Sequence, residues 1–460
     1  MEPVDGLPAK ARRRAMATIA ISVGLAVLDG AIANIALPAI ARDMASSPSA
    51  TIWVVNAYQL AVTVSLLPFA FLGDMLGYRR VYLTGLAVFT AASLACALAP
   101  SLPWLVGARV VQGFGGAGIM SVNTALIRFI FPREMLGRGL GLNSLIVATF
   151  SALGPSLAAA ILAVGSWHWL FAVNVPLGLI ALALATRVLP VTPRAGQRFD
   201  VLSAVLNAVT LGLLVTALDG LGRGAGVWQL VALVTAIAAG TVFLRRQRRL
   251  AVPLLPVDLF RRPVFALSVV TSICSYTAQS LAYVSLPFYF QFVAGMTQVE
   301  TGLLITPWPA TVVIVAPIAG RLSDRYPAGV LSGLGLAVMT AGLLLLLAIP
   351  AGASAPDIAW RMAVCGMGFG FFQAPNNRLL LGSAPRERSG AGSGMLSTAR
   401  LVGQTTGTAL TAAAFSLAGS QASSEVARGT VLAIGAGAGV AFAGAGAVLS
   451  VLRLRHRQPV

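Results

Sequence analysis

The sequence is poor in charged residues, and this shortage decides its class. Of 460 residues only 10% are charged while 57% are hydrophobic, whereas soluble domains carry about 25% charged residues. The three cysteines (Cys96, Cys274 and Cys365) fall inside apolar segments without a CxxC pair, which predicts packed thiols and gives no disulfide framework or metal site. The composition therefore predicts an all-α integral membrane protein.

The sequence also lacks the residue groups that enzymes and ATP-driven pumps need. His168 and His456 are its only histidines, and the glycine-rich stretch at 435–446 has no lysine and lies in an apolar run. No loop is long enough to form the soluble domain of a receptor. The net charge of +18 does not indicate a nucleic-acid partner, because the basic residues are scattered between apolar runs.

Long apolar runs are what the sequence has instead. Runs of about 20 apolar residues cross the bilayer as helices, and about fourteen occur. A signal peptide is rejected for the first, because the run from Ala15 to Ile40 is too long and contains an acid. The predicted spans begin near Ala15, Ile52, Val81, Trp104, Gly139, His168, Val201, Val227, Val264, Glu300, Val330, Ile358, Ser389 and Gly429.

The lysine and arginine residues indicate the orientation of these spans. Of 32 such residues, 26 fall in the two tails and in every second loop, four fall on the opposite side, and two, Arg109 and Arg400, lie inside helices. Loops of this kind face the cytoplasm. The bias agrees with an even number of spans and predicts that both termini are cytoplasmic, in the cytoplasmic (inner) membrane of a bacterium.

Asp29 is the only carboxylate that this assignment places deep inside a span. A charge at that depth costs about 2.5–3.5 kcal/mol on insertion scales, so an intramembrane acid indicates a function. A carboxyl group surrounded by hydrocarbon keeps its proton, whereas water or a nearby cation lets it release the proton. Asp29 is therefore a candidate proton carrier and a candidate substrate-binding residue.

Two loops at equivalent positions of the chain resemble each other. The loop after the second span contains Gly73, Asp74, Gly77, Arg79 and Arg80, and the loop after the tenth contains Gly320, Asp324 and Arg325. Such a repeat is typical of two-bundle transporters. Its glycines allow tight turns, and its acids can face a helix N-terminus or an arginine. We interpret both loops as an ionic latch, with a solvated turn as the alternative.

Several further segments give the chain a resemblance to a known family. The segment Leu105-Val106-Gly107-Ala108-Arg109-Val110-Val111-Gln112-Gly113, the segment Ala152-Leu153-Gly154-Pro155-Ser156, the segment from Trp167 to Gly178 and the run Leu28-Asp29-Gly30-Ala31-Ile32-Ala33-Asn34 all resemble motifs of the major facilitator superfamily. Within that superfamily they are similar to motifs of its fourteen-span drug:proton antiporters. Phe150, Ala158 and Ala159 stand where the motif that the segment Ala152-Leu153-Gly154-Pro155-Ser156 resembles normally has glycines.

The resemblance implies a fold and a division of the chain. It implies a major-facilitator-type fold with a six-helix bundle at 1–190, two inserted helices and a basic loop at 191–262, and a second bundle at 263–460. It implies that Arg109 acts with Asp29 in proton coupling and that Gly154 and Pro155 belong to the moving parts. The alternatives are an Asp29 that is permanently paired with Arg109 or caps a helix break, a snorkelling Arg109, and simple helix packing at Gly154 and Pro155.

Polar and aromatic side chains at helical spacing are candidates for substrate binding. A roomy aromatic pocket suits large amphipathic molecules, and Asp29 favours cationic ones, although Arg400 argues against cations alone. Besides Asp29 the candidates are Asn34, Tyr58, Gln59, Tyr276, Gln279, Tyr283, Trp308, Gln373, Asn376, Asn377 and Arg400.

Together these features predict an exporter of amphipathic, cationic drugs or toxic compounds that exchanges them for protons by alternating access. Its expected partners are the small-molecule substrate, H+ and the lipid bilayer. It is expected to use no cofactor, with the proton gradient as the energy source, and to be a monomer, as is usual for the family. The alternatives are a dedicated exporter of one metabolite or antibiotic and, from another class, a membrane receptor or enzyme.

Overall fold

The structure is a computed structural model that describes residues 5–46, 48–51, 53–194, 199–221, 226–250, 253–290, 295–296, 298–350, 353–418 and 425–452. Helices account for nearly all of these residues, so the all-α prediction is confirmed. A helix begins near each predicted start, and by length and apolarity eight of the described segments can cross a membrane. The chain is therefore a multi-pass membrane protein.

The helices are named in chain order. Those of the N-terminal part are α1 (Ala9–Asp43), α2 (Pro48–Thr51), α3 (Trp53–Leu76), α4 (Tyr78–Ala97), α5 (Leu102–Ile130), α6 (Leu136–Val164), α7 (His168–Ala172) and α8 (Asn174–Val188). Next come α9 (Val201–Leu221) and α10 (Val227–Gln247). The C-terminal part contains α11 (Pro263–Phe288), α12 (Gln298–Ile305), α13 (Pro307–Ser323), α14 (Ala328–Leu347), α15 (Ala355–Ser383), α16 (Ser389–Ala418) and α17 (Glu425–Leu452). Single 3₁₀ turns lie at Arg133–Met135, Leu259–Arg261 and Arg386–Arg388.

Helices are what this composition requires, because lipid offers no partner for a free N–H or C=O group and a helix pairs its own. Prolines stand in the first turn of α5, α11, α13 and α15, where the missing N–H has no helical partner to lose. The N-terminal core contains Tyr82, Phe89 and Ile127, and the C-terminal core contains Trp308 and Met339, all fully buried.

Glycines let α4 and α5 pack backbone against backbone. A Cβ built on Gly115 would lie 2.7 Å from the Phe89 Cα atom and 2.8 Å from the Gly85 oxygen. Those atoms belong to the neighbouring main chain and cannot rotate away. The α4–α5 contact therefore depends on glycine at this position, as in other small-residue contacts between membrane helices.

Replacement of Gly115 by leucine is expected to destabilise the protein by about 3 kcal/mol or more, the upper range for overpacking. The readout is the yield of monodisperse protein in detergent and its unfolding temperature. Gly107→Leu is the matched control, since it lies on the same helix and no described atom is within 4 Å of a Cβ built there. Equal yields and unfolding temperatures for the two variants would contradict this account of α4–α5 packing.

The N-terminal and C-terminal parts meet where α6 packs on α13 and α3 packs on α16. Both contacts are close to what we call the basic end, where α3, α5, α13 and α15 end and where α6 and α16 begin. Its arginines surround a surface cavity of about 1280 Å³ and include Arg128, Arg133, Arg325, Arg378 and Arg386. Helices α9 and α10 pack on each other, and α9 also lies against α3 and α16.

Candidate functional site

A central cavity lies between the N-terminal and C-terminal parts of the chain. Its volume is about 550 Å³, within the range of pockets for drug-sized molecules. Helices α1, α3, α5 and α6 form one side, and α11, α13, α15 and α16 form the other. Helices α9 and α10 contribute no described residue to its wall.

Eight of the predicted substrate residues lie on this wall. They are Tyr58, Gln59, Tyr276, Gln279, Tyr283, Trp308, Gln373 and Arg400. Residues three and four apart share a helix face, which is why Tyr276, Gln279 and Tyr283 of α11 point the same way. The Gln373 amide donates a hydrogen bond of 3.0 Å to the Tyr276 hydroxyl, and Tyr283 packs edge-to-face on Trp308 at 5.2 Å.

Asp29, Asn376 and Asn377 do not line the cavity. The Asn376 amide is fully buried and donates to the Ser272 hydroxyl at 2.7 Å, so it joins α15 to α11. Asn377 is also buried. It lies four residues after Gln373 on α15, which places it about 6 Å nearer the basic end than the cavity residue Gln373. The side chain of Asn34 lies outside the described part of the chain. The positions of Asn376 and Asn377 correct the prediction from the sequence, which put both residues beside Gln373 on one polar face.

Asp29 is buried in a polar network instead. Its Oδ2 atom is ion-paired with the Arg109 guanidinium, and its Oδ1 atom accepts hydrogen bonds of 2.9 Å from the amides of Gln112 and Asn174. Neither Asp29 (3% exposed) nor Arg109 (0%) reaches the surface. Arg109 is therefore not a snorkelling residue. The pair and its hydrogen bonds offset part of the cost of burying each charge, and removing one charge leaves the other without its partner.

Tyr58 separates this network from the cavity. Its ring lines the cavity, and the Arg109 guanidinium carbon lies 4.2 Å from the ring centroid. The Tyr58 hydroxyl donates a hydrogen bond of 3.3 Å to the Ala26 carbonyl oxygen in α1. A molecule in the cavity therefore touches a side chain that itself contacts Arg109. This gives a direct physical route from substrate to Asp29.

Gln112, Ser93 and Asn174 complete the network, and the sequence assignment missed them. Gln112 accepts a hydrogen bond from Arg109 at 2.6 Å and donates to the Ser93 hydroxyl at 2.8 Å. The signal was present, because Gln112 stands three residues after Arg109 and Asn174 lies in the family-like segment from Trp167 to Gly178. Residues three apart on a helix are neighbours, so the segment from Leu105 to Gly113 already placed Gln112 beside Arg109.

The two repeated loops make equivalent contacts at the basic end. Asp74 accepts hydrogen bonds from the Gly390 and Ala391 amides at 2.8 and 3.1 Å, at the N-terminus of α16. Asp324 accepts from the Gly137 and Arg138 amides at 2.9 and 3.2 Å, at the N-terminus of α6. Each acid thus caps a helix of the opposite part of the chain, where the free N–H groups and the helix dipole favour a negative charge.

The arginines of the two loops have other roles than the sequence suggested. Arg79 donates to the Thr186 carbonyl in α8, within the N-terminal part, and the structure gives Arg80 no ion pair with a described residue. Asp324 is ion-paired with Arg378 at 3.3 Å and Arg138 at 3.6 Å rather than with Arg325. The contacts differ in direction, since each acid reaches the N-terminus of a helix in the opposite part of the chain, whereas Arg79 contacts its own part.

The glycines of the first loop are required by close contacts. Gly77 has a φ of +94°, a conformation that favours glycine. A Cβ on Gly73 would lie 2.6 Å from a Val122 methyl carbon. Gly154 is buried in α6, and this helix continues through Pro155, whose side chain is outside the description.

Burial raises the pKa of the Asp324 carboxyl, while Arg378 acts in the opposite direction.

The chain is similar to known proteins in both sequence and fold. Residues 19–408 match the sequence model of the Major Facilitator Superfamily. The chain is 58% identical over 411 residues to the uncharacterized transporter YebQ of Escherichia coli K12, covering 89% of this chain and 90% of that protein. It is 33% identical to the multidrug resistance protein Stp of Mycobacterium tuberculosis, covering 87% and 75%.

Among solved structures, the human organic anion transporter MFSD10 aligns with a TM-score of 0.64 over 98% of this chain and 100% of that chain. The sequence identity is 14%, so this likeness concerns the fold alone.

Proposed function

This chain belongs to the major facilitator superfamily of membrane transporters, and from that premise we propose that it exports amphipathic compounds in exchange for protons. The observation that carries the proposal is the buried Asp29–Arg109 pair, which one aromatic side chain, Tyr58, separates from a cavity shared by both parts of the chain. Relatives named for multidrug resistance, such as Stp, support an export function.

The proposed architecture has fourteen spans. Residues 1–190 and 263–460 form two bundles of six spans each, with α7 and α8 counted together as one span and α12 and α13 as another. Residues 191–262 add α9 and α10. The basic end faces the cytoplasm of a bacterium, because arginine-rich loops remain on that side. The pair α9–α10 is peripheral to transport, and the Asp200–Arg246 hydrogen bonds, which lower the pKa of Asp200 to about 2, hold its cytoplasmic ends together.

The proton and the substrate use the site in turn. When the cavity opens to the outside and the substrate has left, a proton binds the Asp29 carboxylate and removes the charge that faces Arg109. After the change to the cytoplasm-facing state, substrate entering the cavity packs on Tyr58 and holds its ring against Arg109, and the renewed Asp29–Arg109 pair releases the proton to the cytoplasm. One proton enters for each release of substrate outside, so the gradient drives export without a cofactor.

The two capped helices act as the latch of this cycle. Asp74, which caps α16, and Asp324, which caps α6, hold the cytoplasmic ends of the two bundles together while the cavity faces outward. Both contacts combine hydrogen bonds with a helix dipole and form only when the two bundles meet at this end. They are therefore a two-state element of the kind that alternating access requires.

The proposal is tested by accumulation in inside-out vesicles. An acid interior should drive uptake of amphipathic compounds from a panel of anions, neutral molecules and cations, and nigericin, which collapses the pH gradient, should abolish it. Vesicles without the protein give the background. Uptake that persists after nigericin, or that ATP drives while nigericin is present, would exclude a proton antiporter.

A further inference from the structure

A second intramembrane charge, Arg400, lies in the cavity itself. It is the twelfth residue of the 30-residue helix α16, roughly 16 Å along the helix axis from the basic end. That depth is near the middle of a hydrocarbon layer of about 30 Å. Its side chain forms part of the cavity wall, and a charged residue at this depth indicates a function.

The charge of the cavity wall is positive. Arg400 is the one charged residue among the described residues that line it, and they include no carboxylate. Among the described residues no acid is ion-paired with Arg400 either. Asp29, the intramembrane acid, lies behind Tyr58 with its three donors already in place. A cation entering the cavity would therefore meet the like charge of Arg400 at short range, which opposes its binding.

The unsatisfied polar atoms of the wall are hydrogen-bond donors. The Nε atom of Arg400 and the Nε1 atom of Trp308 are both buried without a partner among the described residues. Neither atom can accept a hydrogen bond. Buried donors are normally paired, so a small movement of either side chain toward an acceptor oxygen in the cavity would be favourable. The guanidinium group matches the two oxygens of a carboxylate or other oxyanion in particular.

The rest of the wall suits an aromatic body. Tyr58, Tyr276, Tyr283, Trp308 and Phe369 surround the space, and Val27, Val62 and Met120 supply apolar surface. Gln59, Gln279 and Gln404 offer additional donors and acceptors without charge. The wall thus presents one cation within a mainly aromatic and apolar surface.

We propose that the cavity binds aromatic amphipathic compounds that carry an oxyanion, a carboxylate in the simplest case, and that Arg400 binds this group while the aromatic side chains hold the ring system. The inference rests on the proposed function only in treating the cavity as the transport site. It replaces the cationic substrate that Asp29 suggested at the level of sequence. The anion of a lipid headgroup shares this chemistry and is distinguished by the test.

The test is equilibrium binding to purified full-length protein, with three probes built on one scaffold. These are 1-pyrenebutyrate, its neutral amide and 1-pyrenebutylamine, detected by energy transfer from the protein's tryptophans. Wild-type protein should bind the carboxylate about tenfold or more tightly than the amide, as expected for a hydrogen bond to a charged group, and should bind the amine most weakly. Equal or tighter binding of the amine would overturn the proposal.

Variants at Arg400 assign the preference to this residue. Arg400→Gln should reduce the carboxylate-to-amide ratio to near one, Arg400→Lys should keep it above one, and Arg400→Glu should favour the amine. Arg361→Gln is the matched control, because it also removes one positive charge. Arg361 lies near the start of α15, away from the cavity wall, and is paired with Asp357 at 2.8 Å. A ratio unchanged in Arg400→Gln, or equally lost in Arg361→Gln, would contradict direct binding by Arg400.

Two further experiments distinguish substrate binding at Arg400 from binding of a lipid headgroup, and the substrate class from proton coupling. Binding is repeated in nanodiscs with and without phosphatidylglycerol, and a carboxylate preference that this lipid abolishes would assign Arg400 to a headgroup and overturn the proposal. Binding needs no pH gradient, so it does not depend on proton coupling. If the carboxylate preference is preserved but no proton exchange occurs, the antiport mechanism is wrong and the substrate class stands. If only cations drive proton exchange, the antiport mechanism stands and the substrate class is wrong.

Discussion

Replacement of Arg109 by glutamine is expected to abolish coupled transport and to destabilise the protein by about 3–5 kcal/mol, the usual cost of removing one partner of a buried ion pair. The substitution leaves Asp29 with two amide donors but without a counter-charge. Asp29 would then keep its proton in both states of the cycle, because an unpaired carboxylate in this position is costly. The measurements are substrate-evoked proton release in proteoliposomes and the unfolding temperature in detergent.

Two further variants serve as controls for Arg109→Gln, one that keeps the charge at position 109 and one that removes both charges of the pair. Arg109→Lys keeps the charge but cannot at once donate to Asp29, Gln112 and the Val54 carbonyl as arginine does, so partial coupling is expected. The double variant Arg109→Gln with Asp29→Asn removes both charges and should recover much of the lost stability while remaining uncoupled. Full proton release in Arg109→Gln would remove the pair from the mechanism.

Replacement of both Asp74 and Asp324 by asparagine is expected to open the cytoplasmic end. Each substitution keeps the shape but removes the charge that faces a helix N-terminus, a contribution of about 1–2 kcal/mol. Each should therefore shift the equilibrium by about tenfold, and both together by about a hundredfold if the two sites are independent. Transport should fall in parallel, because the outward-facing state becomes rare.

The opening can be measured by the distance between spin labels at positions 133 and 326, which both border the cavity at the basic end. The native cysteines are all buried and should not compete for the label. Wild-type protein should show a short distance, and the double variant should show a longer one. Arg80→Gln removes a charge from the same loop without touching Asp74 and should leave the distance unchanged. An unchanged distance in the double variant would contradict the latch.

Local patterns predicted the elements of this fold, and contacts between distant elements explain what they missed. Each helix begins near the start of an apolar run because lipid enforces helices wherever such a run occurs. The spacing of Tyr276, Gln279 and Tyr283 likewise predicted one face of α11, because helical geometry is fixed along the chain. Both inferences needed nothing beyond neighbouring residues.

The partners of Asp74 lie too far along the chain for such reasoning. Asp74 meets Gly390 across 316 positions, and the loop pattern offered both arginines and helix ends as candidates without choosing between them. Asn376 shows a similar limit, because spacing gives the face of a helix but not the neighbour that covers it. Ser272 of α11 covers that face, so the amide joins two helices instead of meeting a substrate.

The central claim is that Asp29 carries the proton that drives export, and proton release from inside-out proteoliposomes tests it most directly. A transported compound is added outside vesicles with an acid interior, and the internal pH is followed for wild type, Asp29→Asn and the control Arg246→Gln. Wild type and Arg246→Gln should release protons, whereas Asp29→Asn should release none yet still exchange labelled for unlabelled substrate without a gradient. Proton release from Asp29→Asn at the wild-type rate would contradict the account.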